Sequence, residues 1–239
     1  MDIGWMWDDT GMQPTFREIY TRLNNSVDAG RWWPATTRFE MMVGAVLVQH
    51  TAWRNVESSL ALLEAKGLLD PRAMYDAERE DVIAAIRPSG FMTAKSRTCR
   101  ELAAWVLRHT EVPAPEGADS KGNGVEHSLA DAIAVLSDVK FREDLLGLAG
   151  VGPETADVIA LYAFRRPAFI WDTYARRMLS ALGYEVPDGY EQARMKLGHF
   201  VAEAGFSVEE LGAFHGLIVE SGKQARAVGG WEDLLGRCD

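Results

Sequence analysis

The sequence predicts an all-α fold, on three observations. Apolar residues recur at three- and four-residue steps over most of the chain, helix caps stand where those runs begin or end, and no stretch reads as a convincing strand or internal repeat. Phe39–Val48, FEMMVGAVLV, is apolar almost all round, as a central buried helix should be. Asn55–Ala65 places Val56, Leu60 and Leu63 on one face, and Ala94–His109 repeats the pattern with Cys99, Leu102, Val106 and Leu107. PETADVIALYAF (153–164) and TYARRMLSALG (173–183) are two more helices, the second ending at Gly183, where a left-handed C-cap is cheap. Ser207–Ala225 opens with a capping box, Ser207 to Glu210. Between helical patterns, Thr110–Ser128 is rich in Pro, Gly, Ser and charge and reads as an exposed loop inserted within a domain.

A chain of 239 residues suffices for one large domain or two small ones with a buried core. Its 47% hydrophobic and 25% charged content are those of a soluble globular protein. No apolar run is long enough to span a bilayer, and the N-terminal MDIGWMWDDTGMQP carries acids where a secretion signal carries lysines; a cytoplasmic location is expected. Two distant cysteines, Cys99 and Cys238, make no disulfide framework, and no Cys/His cluster has zinc or iron–sulfur spacing. The formal charge of −10 argues against a protein that coats nucleic acid non-specifically, while leaving room for a local basic face.

Leu148–Asp157, LAGVGPETAD, holds Gly150 and Gly152 just ahead of a helix. A dinucleotide fingerprint fails on context. The third glycine is missing, with Thr155 and Ala156 near its place, and the preceding FREDLLGLAG reads as helix, not strand. A helix–hairpin–helix fits better: Leu145, Leu146 and Leu148 end one helix, Gly150-Val151-Gly152 turns, and Thr155-Ala156 begin the next. Glycines let backbone N–H groups face a phosphate with no Cβ in the way, and the next helix adds its N-terminal partial charge. Such a device binds DNA without a basic surface. An ordinary tight turn between packed helices is the alternative.

Leu148–Leu179 resembles the helix–hairpin–helix DNA glycosylase superfamily, whose pattern runs L-x-G-V-G-x-x-T-A, a variable helix, then V-D-T-x-x-x-R. Ala45–Val56, AVLVQHTAWRNV, is similar to the family's I-L-x-Q-x-T-x-x-x-x-V, and Arg87–Ser96, RPSGFMTAKS, to its G-[LF]-x-x-x-K-A. Within the endonuclease III-like branch, WWP (32–34), RPSGF and FHGLIVESGKQ (214–224) look most like 3-methyladenine DNA glycosylases of type III. The resemblance implies two helical lobes flanking a DNA-binding cleft: a helical barrel over residues 39–168 that includes the hairpin, and a discontinuous domain over 1–38 plus 169–239 that carries the catalytic aspartate. Two departures are informative. Bifunctional relatives carry a Schiff-base lysine two residues after the second glycine, where this chain has Glu154, so no lyase step is expected. Many relatives end in a four-cysteine iron–sulfur loop, where this chain runs KQARAVGGWEDLLGRCD; no cluster is expected.

By resemblance Asp172 is the catalytic aspartate. It also reads as the N-cap of TYARRML, and the two roles are compatible, because backbone N–H bonds favour the charged form of a carboxylate. A fixed negative charge suits a bond that breaks toward an oxocarbenium-like sugar. Trp32, Trp33 and Pro34 with Trp53 are the implied base pocket. An alkylated purine is cationic, and an indole face attracts a cation by about 0.5–2 kcal/mol; the same tryptophans could serve only as core. Lys223 aligns with a lysine near that pocket, or is a dipole complement late in a helix. Gln49 and Phe91 are the implied inserting residues, which fill the gap left by a flipped base. Gly150, Val151, Gly152 and Thr155 are the implied hairpin contacts to the DNA backbone. Arg165-Arg166, Arg176-Arg177, Lys95 and Arg97 are candidate phosphate ligands.

The expectation is a monofunctional base excision glycosylase, acting as a monomer on double-stranded DNA with a damaged base and away from membranes. It uses no cofactor, with a monovalent cation at the hairpin backbone left open. A glycosylase for a mispaired or oxidised base, or a non-catalytic protein that recognises distorted DNA, are the alternatives.

Overall fold

The computed structural model describes residues 13–30, 33–110 and 124–234; the side chains of 124–128 and 232 lie outside that description. The described residues are all-α, without strands. The helices are α1 (Phe16–Ser26), α2 (Arg38–Leu47), α3 (Trp53–Ala65), α4 (Pro71–Asp76), α5 (Arg79–Ala85), α6 (Met92–Thr110), α7 (Gly124–Ala134), α8 (Asp138–Leu146), α9 (Pro153–Phe164), α10 (Thr173–Ala181), α11 (Tyr190–Ala204), α12 (Val208–Val228) and α13 (Trp231–Leu234), with a 3-10 turn at Arg87–Ser89 before α6. Two compact units result, one built from residues 33–166 and one joining the segment before residue 33 to 167–239.

In the first unit α2 lies between α6 and α9. Seven consecutive residues, Met41–Leu47, are buried, which explains an apolar pattern with no polar face. α9 has the ends its sequence dictates: Pro153 fits the first turn, whose N–H is unpaired anyway, and Arg165 closes it in left-handed backbone at φ 52°. One expectation is corrected. The loop read over Thr110–Ser128 gives way to helix at Gly124, so that 124–128 belong to α7, while 111–123 lie outside the described residues. Leu129 and Ile133 are buried on the α6 side of α7. Once they fix a helical nucleus, each polar residue added upstream gains a backbone hydrogen bond at little cost.

The second unit packs α12 against α1, α10 and α13. Phe16, Phe169, Trp171 and Phe214 form its aromatic core, with Phe169 and Trp171 ring centres 4.5 Å apart. Both of its capping boxes are complete, Thr15 with Glu18 and Ser207 with Glu210. Gly183 (φ 86°) ends α10, with Tyr184 N–H reaching back to Leu179 O, as that glycine predicts. No described helix is long and apolar enough to cross a membrane.

Candidate functional site

The hairpin between α8 and α9 is built by sterics. Gly150 has φ 89°, and a Cβ placed on it would fall 2.0 Å from Thr98 Oγ1 on α6, so this position excludes any side chain twice over. Gly152 caps α9 with no side-chain cap bond, and a Cβ there would meet nothing within 4 Å. Among the described residues neither glycine N–H finds a protein acceptor. Val151 and Thr155 are buried. Their side chains anchor the turn inward, so a contact from either to a ligand would run through backbone. Below the turn, Arg142 of α8 clamps the buried Asp157 of α9 at 2.6 Å.

The same unit carries an aromatic set. Trp33, half-buried and in left-handed backbone (φ 57°), stacks on Tyr162 of α9 at 5.4 Å and meets Trp53 edge-on at 5.2 Å. The Trp33 indole packs over Gly44 of α2, where an added Cβ would lie 3.5 Å from Nε1, an ordinary contact distance. Trp53 stands at the first position of α3, and Pro34 is exposed. Trp32 lies outside the described residues. Tyr162 was missed in the sequence because it sits inside a helix that reads as apolar throughout.

Two tight turns of this unit present Gln49 and Phe91. Gln49 is half-buried in the turn after α2 and is followed by His50 in left-handed backbone (φ 57°). Phe91, at φ 48° just before α6, is 68% exposed, far more than a core aromatic. The rings of His50 and Phe91 lie 6.0 Å apart, so the two turns are neighbours. Lys95 is not a surface cation. It is buried, its Nζ donates to Leu47 O and Ser89 O at 2.8 Å each, and desolvation pulls its pKa below the ordinary lysine value.

In the second unit Asp172 caps α10, with Oδ1 accepting from Ala175 N–H at 2.7 Å. Its Oδ2 faces His215 Nε2 of α12 at 3.7 Å. The side chain keeps 13% exposure, so the carboxylate is mostly enclosed but not sealed. His215 stands in the quoted FHG stretch but was not singled out; only the packing of α12 on α10 brings it to Asp172. Lys223 is half-exposed on α12 and pairs with Glu220 at 2.6 Å. A cavity of about 830 Å³ lies between α10 and the end of α12, lined by Thr173, Tyr174, Arg177, Gly222, Arg226 and Trp231 rather than by Asp172.

The arginine expectations divide. Arg166 is a structural clamp: its Nη2 donates to Ile133 O and Leu136 O at 2.6 and 2.9 Å, and its Nη1 pairs with Asp138. Arg176 folds back on Trp171 O at 3.1 Å. Arg97 and Arg177 are exposed, and Arg165 caps α9. Glu154 lies in the first turn of α9, where a carboxylate suits the helix dipole. The donor set does not fit a four-cysteine cluster: of two cysteines, Cys99 is buried in α6 and Cys238 lies outside the described residues.

Comparison with known proteins agrees with this geometry. Residues 43–203 match the profile of the HhH-GPD superfamily base excision DNA repair protein. A candidate DNA repair glycosylase of Methanocaldococcus jannaschii is 34% identical over 166 residues, 70% of this chain and 69% of the relative. Endonuclease III of Thermotoga maritima is 28% identical over 166 residues, 68% of this chain and 66% of that protein. Among solved structures, the 3-methyladenine DNA glycosylase of H. pylori bound to 1,N6-ethenoadenine superposes with a TM-score of 0.69 at 26% identity, over 87% of this chain and 97% of that one. An endonuclease III trapped covalently on DNA shares the fold, with a TM-score of 0.63 at 20% identity over 87% and 84% of the two chains. With a turn closed on the sterically constrained Gly150, a capping aspartate ahead of α10 and a profile match over most of its length, this chain belongs to the HhH-GPD superfamily of base excision DNA repair proteins.

Proposed function

We propose that the protein is a monofunctional DNA glycosylase that hydrolyses the N-glycosidic bond of alkylated purines of the 3-methyladenine type in duplex DNA. The observation that carries this reading is Asp172: one carboxylate oxygen is fixed by its own helix, the other faces His215 at 3.7 Å, beyond hydrogen-bond distance, and Glu154 stands where a lyase would need an amine. With Oδ1 held by Ala175 N–H, Oδ2 is the acting oxygen. As the bond from C1′ to the base nitrogen breaks, the electron pair leaves with the base. An alkylated, cationic purine thereby departs neutral and needs no strong acid. The positive charge moves to the sugar, where a preorganised carboxylate stabilises it. Water then bonds to C1′, and its proton passes through Asp172 Oδ2 to solvent, leaving an abasic site. Trp33, Trp53 and Tyr162 offer stacked and edge faces that favour a cationic ring. Gln49 and Phe91 fill the duplex once the base has left it, and the Gly150 and Gly152 N–H groups hold the phosphate backbone. That the H. pylori relative is a 3-methyladenine DNA glycosylase supports the substrate class, and membership of a base excision DNA repair superfamily supports the partner.

The test is release of free bases from dimethyl sulfate-treated duplex. The native protein releases 3-methyladenine, and Asp172→Asn lowers the rate by about 10²–10³-fold while retaining duplex binding. Borohydride traps no adduct. Undiminished release by D172N, or a covalent adduct, overturns the assignment.

A further inference from the structure

We infer that Lys95 is a positioning residue for DNA interrogation: its buried ammonium fixes the spacing between the turn that carries Gln49 and the turn that carries Phe91. The inference rests on the reading of those two side chains as the inserting pair. The ammonium donates to Leu47 O, the last residue of α2, and to Ser89 O, the last of the 3-10 turn, at 2.8 Å each. Each acceptor lies two residues before an inserting side chain. Both carbonyls sit at helix ends, where the intrahelical partner is missing, so a buried cation is a fitting donor. Lys95 itself lies in the first turn of α6, with its N–H on Phe91 O at 3.0 Å, and its Nζ lies 6.0 Å from the Phe91 ring centre. One side chain therefore ties three elements at the point where they display Gln49 and Phe91.

A second set of bonds closes the frame from α3. Ser89 Oγ contacts Ser59 Oγ at 2.8 Å and donates to Asn55 O at 3.3 Å, while Asn55 Nδ2 donates to Thr51 Oγ1 at 2.9 Å, two residues past Gln49. The turns hold His50 and Phe91 in left-handed backbone, a conformation that persists only where the surroundings over-determine it. None of these bonds reaches the Gly150–Gly152 hairpin, so loss of Lys95 should disturb insertion and leave backbone binding in place.

The test compares wild type, K95M, K95Q and F91A on two probes. The first is a duplex with a tetrahydrofuran abasic analogue flanked by 2-aminopurine, whose fluorescence reports insertion; the second is undamaged duplex, whose affinity reports backbone binding. K95M should abolish the 2-aminopurine signal and slow base release from methylated duplex by about tenfold or more, as small misplacements of positioned groups do, with undamaged-duplex affinity changed less than about twofold. K95Q keeps two N–H donors, folds if K95M does not, and should lie between K95M and wild type. An unchanged 2-aminopurine signal in both Lys95 variants overturns the inference, and so does a parallel loss of insertion and undamaged-duplex affinity, which marks a merely structural lysine. If F91A inserts like wild type, the inserting-pair reading fails first; if F91A loses the signal and the Lys95 variants keep it, Lys95 alone is misassigned. The abasic probe contains no base to excise, so these outcomes stand apart from whether methylated DNA is a substrate.

Discussion

Gly150→Ala tests the hairpin at its narrowest point. An alanine at φ 89° meets the left-handed penalty of about 1–2 kcal/mol. Its Cβ would also lie 2.0 Å from Thr98 Oγ1 and 3.2 Å from Thr98 Cβ. Thr98 is buried and its hydroxyl bonds back to Ala94 O at 3.2 Å, so it cannot swing clear without losing that bond. Overpacking of this kind costs about 1–3 kcal/mol, and the two terms together give a loss of about 2–5 kcal/mol. Thr98→Ala removes the oxygen but not Cβ. In a double-mutant cycle read by urea unfolding, G150A/T98A should regain the overlap and keep the backbone penalty, with a coupling of about 0.5–3 kcal/mol. Duplex affinity should follow the same order, because in G150A the hairpin moves off α6 and its N–H groups lose their aim. The reasoning is refuted if G150A is as stable as wild type, or if T98A restores nothing to it.

Four further outcomes are expected. Tyr184, whose hydroxyl donates to Pro14 O at 2.6 Å, has its pKa pushed by burial from 10.0 to about 12; a phenol raised in the folded state adds stability that is complete below about pH 10 and lost as pH rises toward about 12, so Y184F should flatten alkaline unfolding over that window. Asp157→Asn neutralises one partner of Arg142 beneath the hairpin and should cost up to about 3–5 kcal/mol, whereas R142M/D157L should cost much less; a D157N loss below about 1 kcal/mol would count against the clamp. Phe91→Gly relieves the left-handed backbone, so in thermal melts it should exceed Phe91→Ala in stability by about 1 kcal/mol while both lose insertion. Duplex affinity should fall shallowly with salt, with a slope of about −2 when only the exposed Arg97 and Arg177 neutralise a phosphate each, since the neutral N–H groups of the hairpin displace no counterions; a slope of about −5 would locate binding on a cationic surface instead.

The helices were legible wherever a local rule governs them. Pro153 and the glycines before it delimit α9, Ser207 with Glu210 opens α12, and Gly183 closes α10, because each acts through bonds within a few residues of itself. The same rule marks α1, whose Thr15–Glu18 box stands in the sequence but was not singled out. The N-cap role of Asp172 was legible for the same reason, and His215 beside it was not, because that proximity depends on how α12 crosses α10. Lys95 and Arg166 show the limit sharply. A lysine early in an amphipathic helix and an arginine after a helix end both read as surface charge. Each is instead held by carbonyls at least one of which comes from 30 or more residues away, and the helical pattern does not announce them.

The backbone tells where the remaining illegibility concentrates. Among the described residues, four without the freedom of glycine adopt positive φ: Trp33, His50, Phe91 and Arg165. Arg165 has a local explanation, as the left-handed close of α9. The other three are bulky rings for which this conformation costs about 1–3 kcal/mol each. Trp33 belongs to the aromatic stack, and His50 and Phe91 to the paired turns. A chain selected for stability alone would place glycine or asparagine at these positions. That it keeps rings there, one of them 68% exposed, means the surrounding bonds hold those rings at a conformational cost, and Trp33 and Phe91 are among the groups proposed above to read a damaged duplex.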